Sequence, residues 1–160
     1  MNREEELRLH RCCFAGPLTF SGRVDYMLAG FILDANIRMA IKSGYTTFIT
    51  GMKQGTDLLA AKTVLEEKLS NDSIRLIAAV PYPGFEKNWS NEARALYREI
   101  LDGADLVKYI CSEYHPEAAN LRKEWMLKHC SRLIAVTRTG HPATMDTIAE
   151  AKKLGIEVIT

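Results

Sequence analysis

Short apolar runs alternate with longer helical stretches along this chain, and the alternation constrains its fold more than any other feature. The apolar runs are as uninterrupted as Ile74 to Val80, which is typical of strands buried on both faces. Alternating strands and helices with short links are typical of a parallel sheet covered by helices. We therefore predict a doubly wound α/β fold with a mostly parallel sheet. The predicted strands are 9–15, 46–50, 74–80, 104–111, 133–137 and 156–159, and the predicted helices are 23–43, 56–69, 91–101, 116–130 and 144–154.

Length and charge narrow the class of protein. A chain of 160 residues suits one domain, so we predict a single domain over residues 1–160. Twenty-one basic residues against twenty acidic ones leave a net charge of +1, and no overall field attracts nucleic acid or an anionic membrane. We therefore expect neither nucleic acid nor a membrane as a partner. Assembly into a homo-oligomer stays open.

Cysteine and histidine usage indicates the compartment and the absence of a metal. The four cysteines contain no CxxC pair, and the chain starts without a signal peptide. These features favour reduced, mostly buried thiols and a cytoplasmic protein. The four histidines include no HxxxH pair, so we predict no metal site.

The loop after the second predicted strand contains two glycines and an acid. Gly51 and Gly55 would let backbone amides approach a ligand, but the loop lacks the Walker pattern. Asp57 places a negative charge where a helix start would otherwise favour an anion. A carboxylate suits neutral hydroxyls such as those of a ribose. The alternative is that Asp57 or Thr56 only caps the helix.

The loop after the third predicted strand, PYPGFEKNW, is rich in aromatic residues. Tyr82 and Trp89 could stack on a base or pack over the end of the sheet. Glu86 could be a catalytic acid, a second hydroxyl ligand or a surface charge. The residues alone leave these alternatives open.

The loop before the last predicted helix is a candidate phosphate site. Hydroxyls and free amides at a helix start attract anions, and Arg138 adds a positive charge. Gly140 is the only glycine there, and the alternative is that Thr144 is an N-cap without a ligand.

A modest basic cluster follows from the segment LRKEWMLKHC together with Arg132. It consists of Arg122, Lys123, Lys128 and Arg132, and a solvated face is its default interpretation.

Four segments, taken in order, strongly resemble the YpsA-like family of the SLOG superfamily. They are ITGMKQGTDLLAAKTVL, LIAAVPYPGFEKNW, ILDGADLVKYICSEYHPEAANLRKEWMLKHCSRLIAVTRTG and TIAEAKKLGIEVI. The resemblance implies a Rossmann-like fold and binding of nucleotides or derivatives such as ADP-ribose or NAD. It also implies kinship with DprA, which binds single-stranded DNA, and with the LOG phosphoribohydrolases. Gly55, Asp57 and Trp89 match the family's presumed pocket residues, whereas the loops CCFAGP and GHPAT depart from its pattern.

These observations lead to three functional hypotheses. The first is a protein that binds or senses a nucleotide-like ligand, with NAD or ADP-ribose as candidates and no cofactor assigned. The second is a nucleotide N-glycosidase that uses Asp57 or Glu86, although no complete catalytic signature is present. The third is single-stranded DNA binding through the basic cluster and the aromatic loops. The residues predicted to contact a ligand are Gly16, Gly51, Gln54, Gly55, Thr56, Asp57, Pro81, Tyr82, Glu86, Trp89, Arg138, Gly140 and Thr144.

Overall fold

A computed structural model describes residues 1–138 and 140–160, and within them a six-stranded sheet is covered by helices on both faces. The strands are β1 (Arg11–Ala15), β2 (Thr47–Thr50), β3 (Arg75–Val80), β4 (Leu106–Tyr109), β5 (Arg132–Ala135) and β6 (Glu157–Ile159). The helices are α1 (Arg3–Arg8), α2 (Arg23–Lys42), α3 (Thr56–Ser70), α4 (Asn91–Gly103), α5 (Ala118–Lys128) and α6 (Pro142–Lys153). Each predicted strand and helix has its counterpart among these elements.

The strand order is β4-β3-β2-β1-β5-β6, and every neighbouring pair is parallel. The chain leaves β1 toward β2 on one side and returns through α5 to β5 on the other, so the order reverses between β1 and β5. Ligands of doubly wound sheets bind at such a reversal, outside the carboxyl ends of the strands. The predicted fold class is confirmed.

Strand β1 shows how the sheet separates two cores. Its side chains alternate between the faces, as the pleat requires. Cys12 and Phe14 join the core under α2, α3 and α4, whereas Cys13 and Ala15 join the core under α5 and α6. The apolar runs are thus buried on both sides, which is why they lack a polar alternation.

Three of the differences from the predicted elements have local causes. The charged start contains α1, which the sequence analysis did not identify and which a capping box between Asn2 and Glu5 stabilises. β4 is shorter than predicted, since it pairs only with β3 at the edge of the sheet. α6 begins at Pro142, two residues earlier than predicted, because proline is well suited to a first helical turn.

All four cysteines are free thiols in the structure. Cys12, Cys13 and Cys130 are buried and Cys111 is half-buried. Across residues 1–138 and 140–160, none of the helices has both the length and the apolar character needed to cross a membrane.

Candidate functional site

A cavity of about 310 Å³ opens at the carboxyl end of β1, where the strand order reverses. The end of β1, the loop before α3, one face of α5 and the first turns of α6 line it. Its charged lining residues are Lys53, Asp57, Arg122, Lys123 and Asp146. The crevice predicted from the fold class is therefore present and contains charges of both signs.

Two buried charges face this cavity without satisfying each other. The side chains of Asp57 and Arg122 are 1% and 6% exposed. Among the described residues, Oδ1 of Asp57 and Nη1 of Arg122 have no hydrogen-bond partner, and the two groups form no ion pair within 4.0 Å. A buried charged group without partners is costly in a protein interior. These two atoms are thus the groups of the cavity wall that are most available for a hydrogen bond to a ligand.

The surroundings of Arg122 hold its guanidinium in place. Its Cζ lies 5.6 Å from the centroid of the Phe85 ring, within the range of a cation–π contact. Burial lowers the pKa of Arg122, and the negative charge of Asp57 opposes that shift. An arginine stays protonated even so, because its ordinary pKa is above about 12. The cavity therefore has a fixed positive group on its α5 side.

The start of α6 provides a second electropositive element. His141 is the N-cap residue, but its side chain makes no capping hydrogen bond, and Pro142 carries no N–H group. The exposed N–H groups of a first turn form the positive end of the helix dipole. Ala143 and Thr144 of this turn line the cavity. The alternative that Thr144 is the N-cap is wrong, since Thr144 is the third residue of the helix.

The start of α3 is held by its neighbours rather than by a cap of its own. The N-cap is Gly55, and no side chain accepts a capping hydrogen bond there. Thr56 donates its hydroxyl to the carbonyl of Pro17 at 3.0 Å, and Oδ2 of Asp57 accepts only a long bond of 3.4 Å from the Lys53 N–H. The alternative that Thr56 or Asp57 caps the helix is therefore wrong.

Three of the predicted site residues are glycines at which any side chain would overlap a neighbouring residue of the protein. A Cβ on Gly16 would overlap the Thr56 side chain, and one on Gly51 would stand 2.6 Å from Oδ2 of Asp57. A Cβ on Gly55 would stand 2.5 Å from the carbonyl of Leu18. These glycines let the loops after β1 and β2 pack on each other, and Gly16 also lines the cavity.

The aromatic loop after β3 is packed against itself. Phe85 makes edge contacts with Tyr82 at 5.7 Å and with Trp89 at 5.2 Å between ring centroids, and Trp89 continues to Tyr97 at 5.4 Å. None of the three loop aromatics lines the cavity. Pro81 is buried at the end of β3, and its carbonyl accepts a hydrogen bond from the Cys111 N–H.

Glu86, the second candidate catalytic acid, lies in this loop and does not share the cavity with Asp57. Its Oε2 is buried and has no hydrogen-bond partner among the described residues. Burial, followed by the charge of Glu86, raises the pKa of the nearby Tyr97 hydroxyl. The two candidate carboxylates are thus separated in the structure.

Three other predicted site residues also lie outside the cavity. Gln54 is exposed, and it lines a second depression instead of the cavity. Arg138 donates to Asp25 at 3.1 Å, and Gly140 forms a turn with Thr137. Thr139, in the same predicted phosphate loop, lies outside the described residues.

The predicted basic cluster is a solvated face only in part, since Lys128 is exposed and the other three members are buried or paired. Arg122 is buried in the cavity wall, and Lys123 pairs with Glu150 at 3.0 Å. Arg132 pairs with Glu157 and lies over the Tyr45 ring. Arg122 was not among the predicted site residues. The signal that could have found it is the i, i+4 spacing of Ala118, Arg122 and Met126, which places an arginine on the apolar stripe of α5.

Comparisons with known proteins agree with this fold. The model of the YpsA family, described as the YspA SLOG family, matches residues 25–155. The chain is 31% identical over 118 residues to the uncharacterised SPbeta prophage-derived protein YoqJ of Bacillus subtilis, covering 66% of this chain and 69% of YoqJ. It is 29% identical over 118 residues to a UPF0398 protein of Bacillus cereus, covering 72% of this chain and 64% of that relative.

Two solved structures share the fold at low sequence identity. DNA processing protein A (DprA) of Streptococcus pneumoniae matches with a TM-score of 0.65 and 15% identity, over 95% of this chain and 50% of DprA. DprA of Helicobacter pylori matches with a TM-score of 0.58 and 13% identity, over 96% of this chain and 66% of that protein. The Helicobacter structure is described in terms of a single-stranded DNA binding mode.

This fold neighbour corrects one expectation. The near-zero net charge led us to consider nucleic acid an unlikely partner, and that expectation was wrong. A single-stranded DNA-binding protein is built on the same fold, and local charges rather than the net charge determine whether such a fold binds nucleic acid.

Proposed function

This chain belongs to the YpsA family of SLOG proteins, and from that premise we propose that it binds a nucleotide or a nucleotide-derived ligand in the cavity between α3, α5 and α6. The curated relatives and the structural neighbours extend beyond the part that this chain covers. The proposal therefore rests on the cavity of this chain.

The observation that carries the proposal is the pair of buried, unpartnered atoms, Oδ1 of Asp57 and Nη1 of Arg122. A ligand that satisfies both must donate a hydrogen bond to the carboxylate and offer an anionic or carbonyl oxygen to the guanidinium. A ribose phosphate has both groups on one small unit, with the hydroxyls suited to Asp57 and the phosphate suited to Arg122.

The rest of the cavity supports a ligand whose phosphate lies near Arg122 and whose hydroxyls lie near Asp57. The start of α6 lines the cavity and Lys53 adds a positive charge there, whereas Lys123 is paired with Glu150 and Asp146 adds a negative charge. The volume of about 310 Å³ is at the small end of ligand sites, which range from about 300 to 1,000 Å³. A single nucleotide unit fits this space better than a whole dinucleotide.

Isothermal titration with AMP, ADP-ribose and NAD tests the proposal. We expect the wild-type protein to bind at least one of them and Arg122→Met to bind it at least about tenfold more weakly, because a charge-assisted hydrogen bond is lost. Arg132→Met is the matched control, since Arg132 is paired with Glu157 away from the cavity, and it should bind normally. Absence of binding by the wild-type protein at millimolar concentrations of all three would reject the proposal.

Thermal unfolding of the same variants separates a binding role from a structural one. Removing one of two neighbouring buried charges leaves the other uncompensated and is usually destabilising. Asp57 is buried and its charge acts on Arg122, so Arg122→Met should lower the Tm of the ligand-free protein, and adding Asp57→Asn should recover part of that loss. Saturating AMP should raise the Tm of the wild type but not that of Arg122→Met, and equal shifts in both would contradict a binding role for Arg122.

Single-stranded DNA is a second candidate ligand, favoured by the fold shared with DprA. A nucleotide of the strand would occupy the same cavity, so Arg122 would serve both ligands. Fluorescence anisotropy with a labelled oligonucleotide at low salt distinguishes the two. DNA binding that excess AMP displaces would indicate a shared site, and no change in anisotropy would reject this candidate.

The N-glycosidase hypothesis has less support than nucleotide binding, because Glu86 does not line the cavity that contains Asp57.

A further inference from the structure

A second depression lies beside the cavity, on the opposite side of the loop that follows β1. This base groove, as we call it, has a volume of about 260 Å³. Phe20, Tyr26, Leu58, Leu59 and Leu96 form its apolar part, and Gln54, Gly55 and Lys62 are among its other lining residues. It is open to solvent, since Tyr26 is 46% exposed.

A ridge formed by the loop at Leu18 separates the base groove from the cavity. Leu18 lines both, and it is 46% exposed at the top of the ridge. The ridge is anchored from below, because the Pro17 carbonyl accepts hydrogen bonds from the N–H and the hydroxyl of Thr56. Asp57 follows Thr56 directly. Gly55 and Leu58, on either side of this pair in the sequence, line the groove, so the start of α3 borders both spaces.

We propose that the base groove binds the nucleobase of a nucleotide whose ribose and phosphate occupy the cavity. This inference rests on the proposed function and adds the place and chemistry of the base. Phe20 and Tyr26 meet edge to face with centroids 5.6 Å apart, and the nearly half-exposed Tyr26 ring is the one that a ligand can reach. A planar base stacks well on such aromatic and apolar walls. The Gln54 amide offers both a donor and an acceptor for the edge of a base.

The other aromatic loop is a poorer place for the base. The rings of Tyr82, Phe85 and Trp89 contact one another, and Phe85 also contacts Arg122. None of them lines the cavity that contains Asp57. The sequence analysis assigned base stacking to Tyr82 or Trp89, and the base groove is the better-placed alternative.

Titration with AMP and with ribose 5-phosphate tests the inference. Ribose 5-phosphate lacks the base, so we expect it to bind more weakly than AMP and to be unaffected by Tyr26→Ala. The same variant should weaken AMP binding at least about fivefold, the lower limit for loss of one stacking contact. Tyr114→Ala is the matched control, since Tyr114 is an exposed tyrosine of the other aromatic cluster, and it should leave both affinities unchanged.

The outcomes separate this inference from the proposed function. If wild type binds AMP and Tyr26→Ala binds it equally well, the base groove is overturned while nucleotide binding stands. Equal weakening of AMP and ribose 5-phosphate would also overturn the groove, since the effect would not depend on the base. If wild type binds neither compound nor any other nucleotide, both proposals fail together. Circular dichroism of Tyr26→Ala checks that the variant is folded, and Tyr26→Leu replaces it if it is not.

Discussion

Cys13 and Cys130 lie with their sulfur atoms 2.9 Å apart below the cavity. The contact with Cys130, followed by burial, raises the pKa of Cys13, and burial raises the pKa of Cys12. Since the thiolate is the reactive form, Cys12 and Cys13 are protected both by burial and by their raised pKa.

We therefore predict that native protein at pH 7.5 reacts with Ellman's reagent only at Cys111, the half-buried thiol. Unfolding in guanidinium should expose all four cysteines. Cys111→Ser is the control and should show no fast reaction in the native state. Fast labelling of a second thiol would contradict the burial of the other three.

Asp57 and Arg122 show how far single residues can be predicted from the sequence. Asp57 could be identified because it follows a glycine-rich loop at the carboxyl end of a strand, and the fold class alone places such loops at a crevice. Arg122 was missed because its neighbours in the sequence, Lys123 and Lys128, indicate a solvated face. The packing of α5 against the sheet buries this arginine, and the i, i+4 spacing of Ala118, Arg122 and Met126 was the weaker signal that could have indicated it.

At the scale of elements, the contact between the loops after β1 and β2 depends on Gly55. Its φ of +80° is positive, as in the left-handed region, and a Cβ on it would stand 2.5 Å from the carbonyl oxygens of Pro17 and Leu18. A side chain there meets both a conformational penalty and rigid backbone atoms.

We predict that Gly55→Ala lowers the free energy of unfolding by at least about 2 kcal/mol, from the left-handed backbone together with overpacking. Gly84→Ala is a matched control, because Gly84 has a φ of +83° and open space around it. It should cost only the conformational part, about 1 to 2 kcal/mol. Urea unfolding of both variants gives the comparison, and equal losses would contradict the role of the loop contact.

The order and type of the elements were predictable, whereas the loop contacts were not. Periods of apolar residues determine which segments become strands and helices, and short links determine that the sheet is parallel. The two glycines of the loop after β2 suggested room for a ligand. In the structure, Leu18 packs against Gly55 and the Asp57 carboxylate packs against Gly51. The contact between Leu18 and Gly55 joins loops that are far apart in the sequence, and no local pattern encodes it.

At the scale of the whole molecule, Asp25 connects the two sides of the strand-order reversal. It lies in the first turn of α2 and accepts hydrogen bonds from the Ser21 N–H at 2.9 Å and from Arg138, in the loop after β5, at 3.1 Å. The hydrogen bond from Ser21, followed by that from Arg138, lowers the pKa of Asp25. A lowered pKa means that the charged form stabilises the folded protein.

The stabilisation by Asp25 should be fully present above the ordinary aspartate pKa of about 3.9 and should be lost as the pH falls through the lower pKa of the folded state. We therefore predict that Asp25→Asn lowers the Tm at pH 7 and that the difference from wild type shrinks below about pH 4. Thermal unfolding followed by circular dichroism measures this. Asp102→Asn, at an exposed position on α4, is the control. A difference that stays constant with pH would contradict the prediction.

The unsatisfied charges in the cavity wall have a consequence for the lifetime of the protein in a cell. A folded state that carries them is less stable when empty than when a ligand satisfies them, because binding adds its free energy to that of folding. Empty molecules would then unfold more often and meet proteases sooner. The amount of protein that a cell retains would follow the supply of its ligand, without any dedicated regulator.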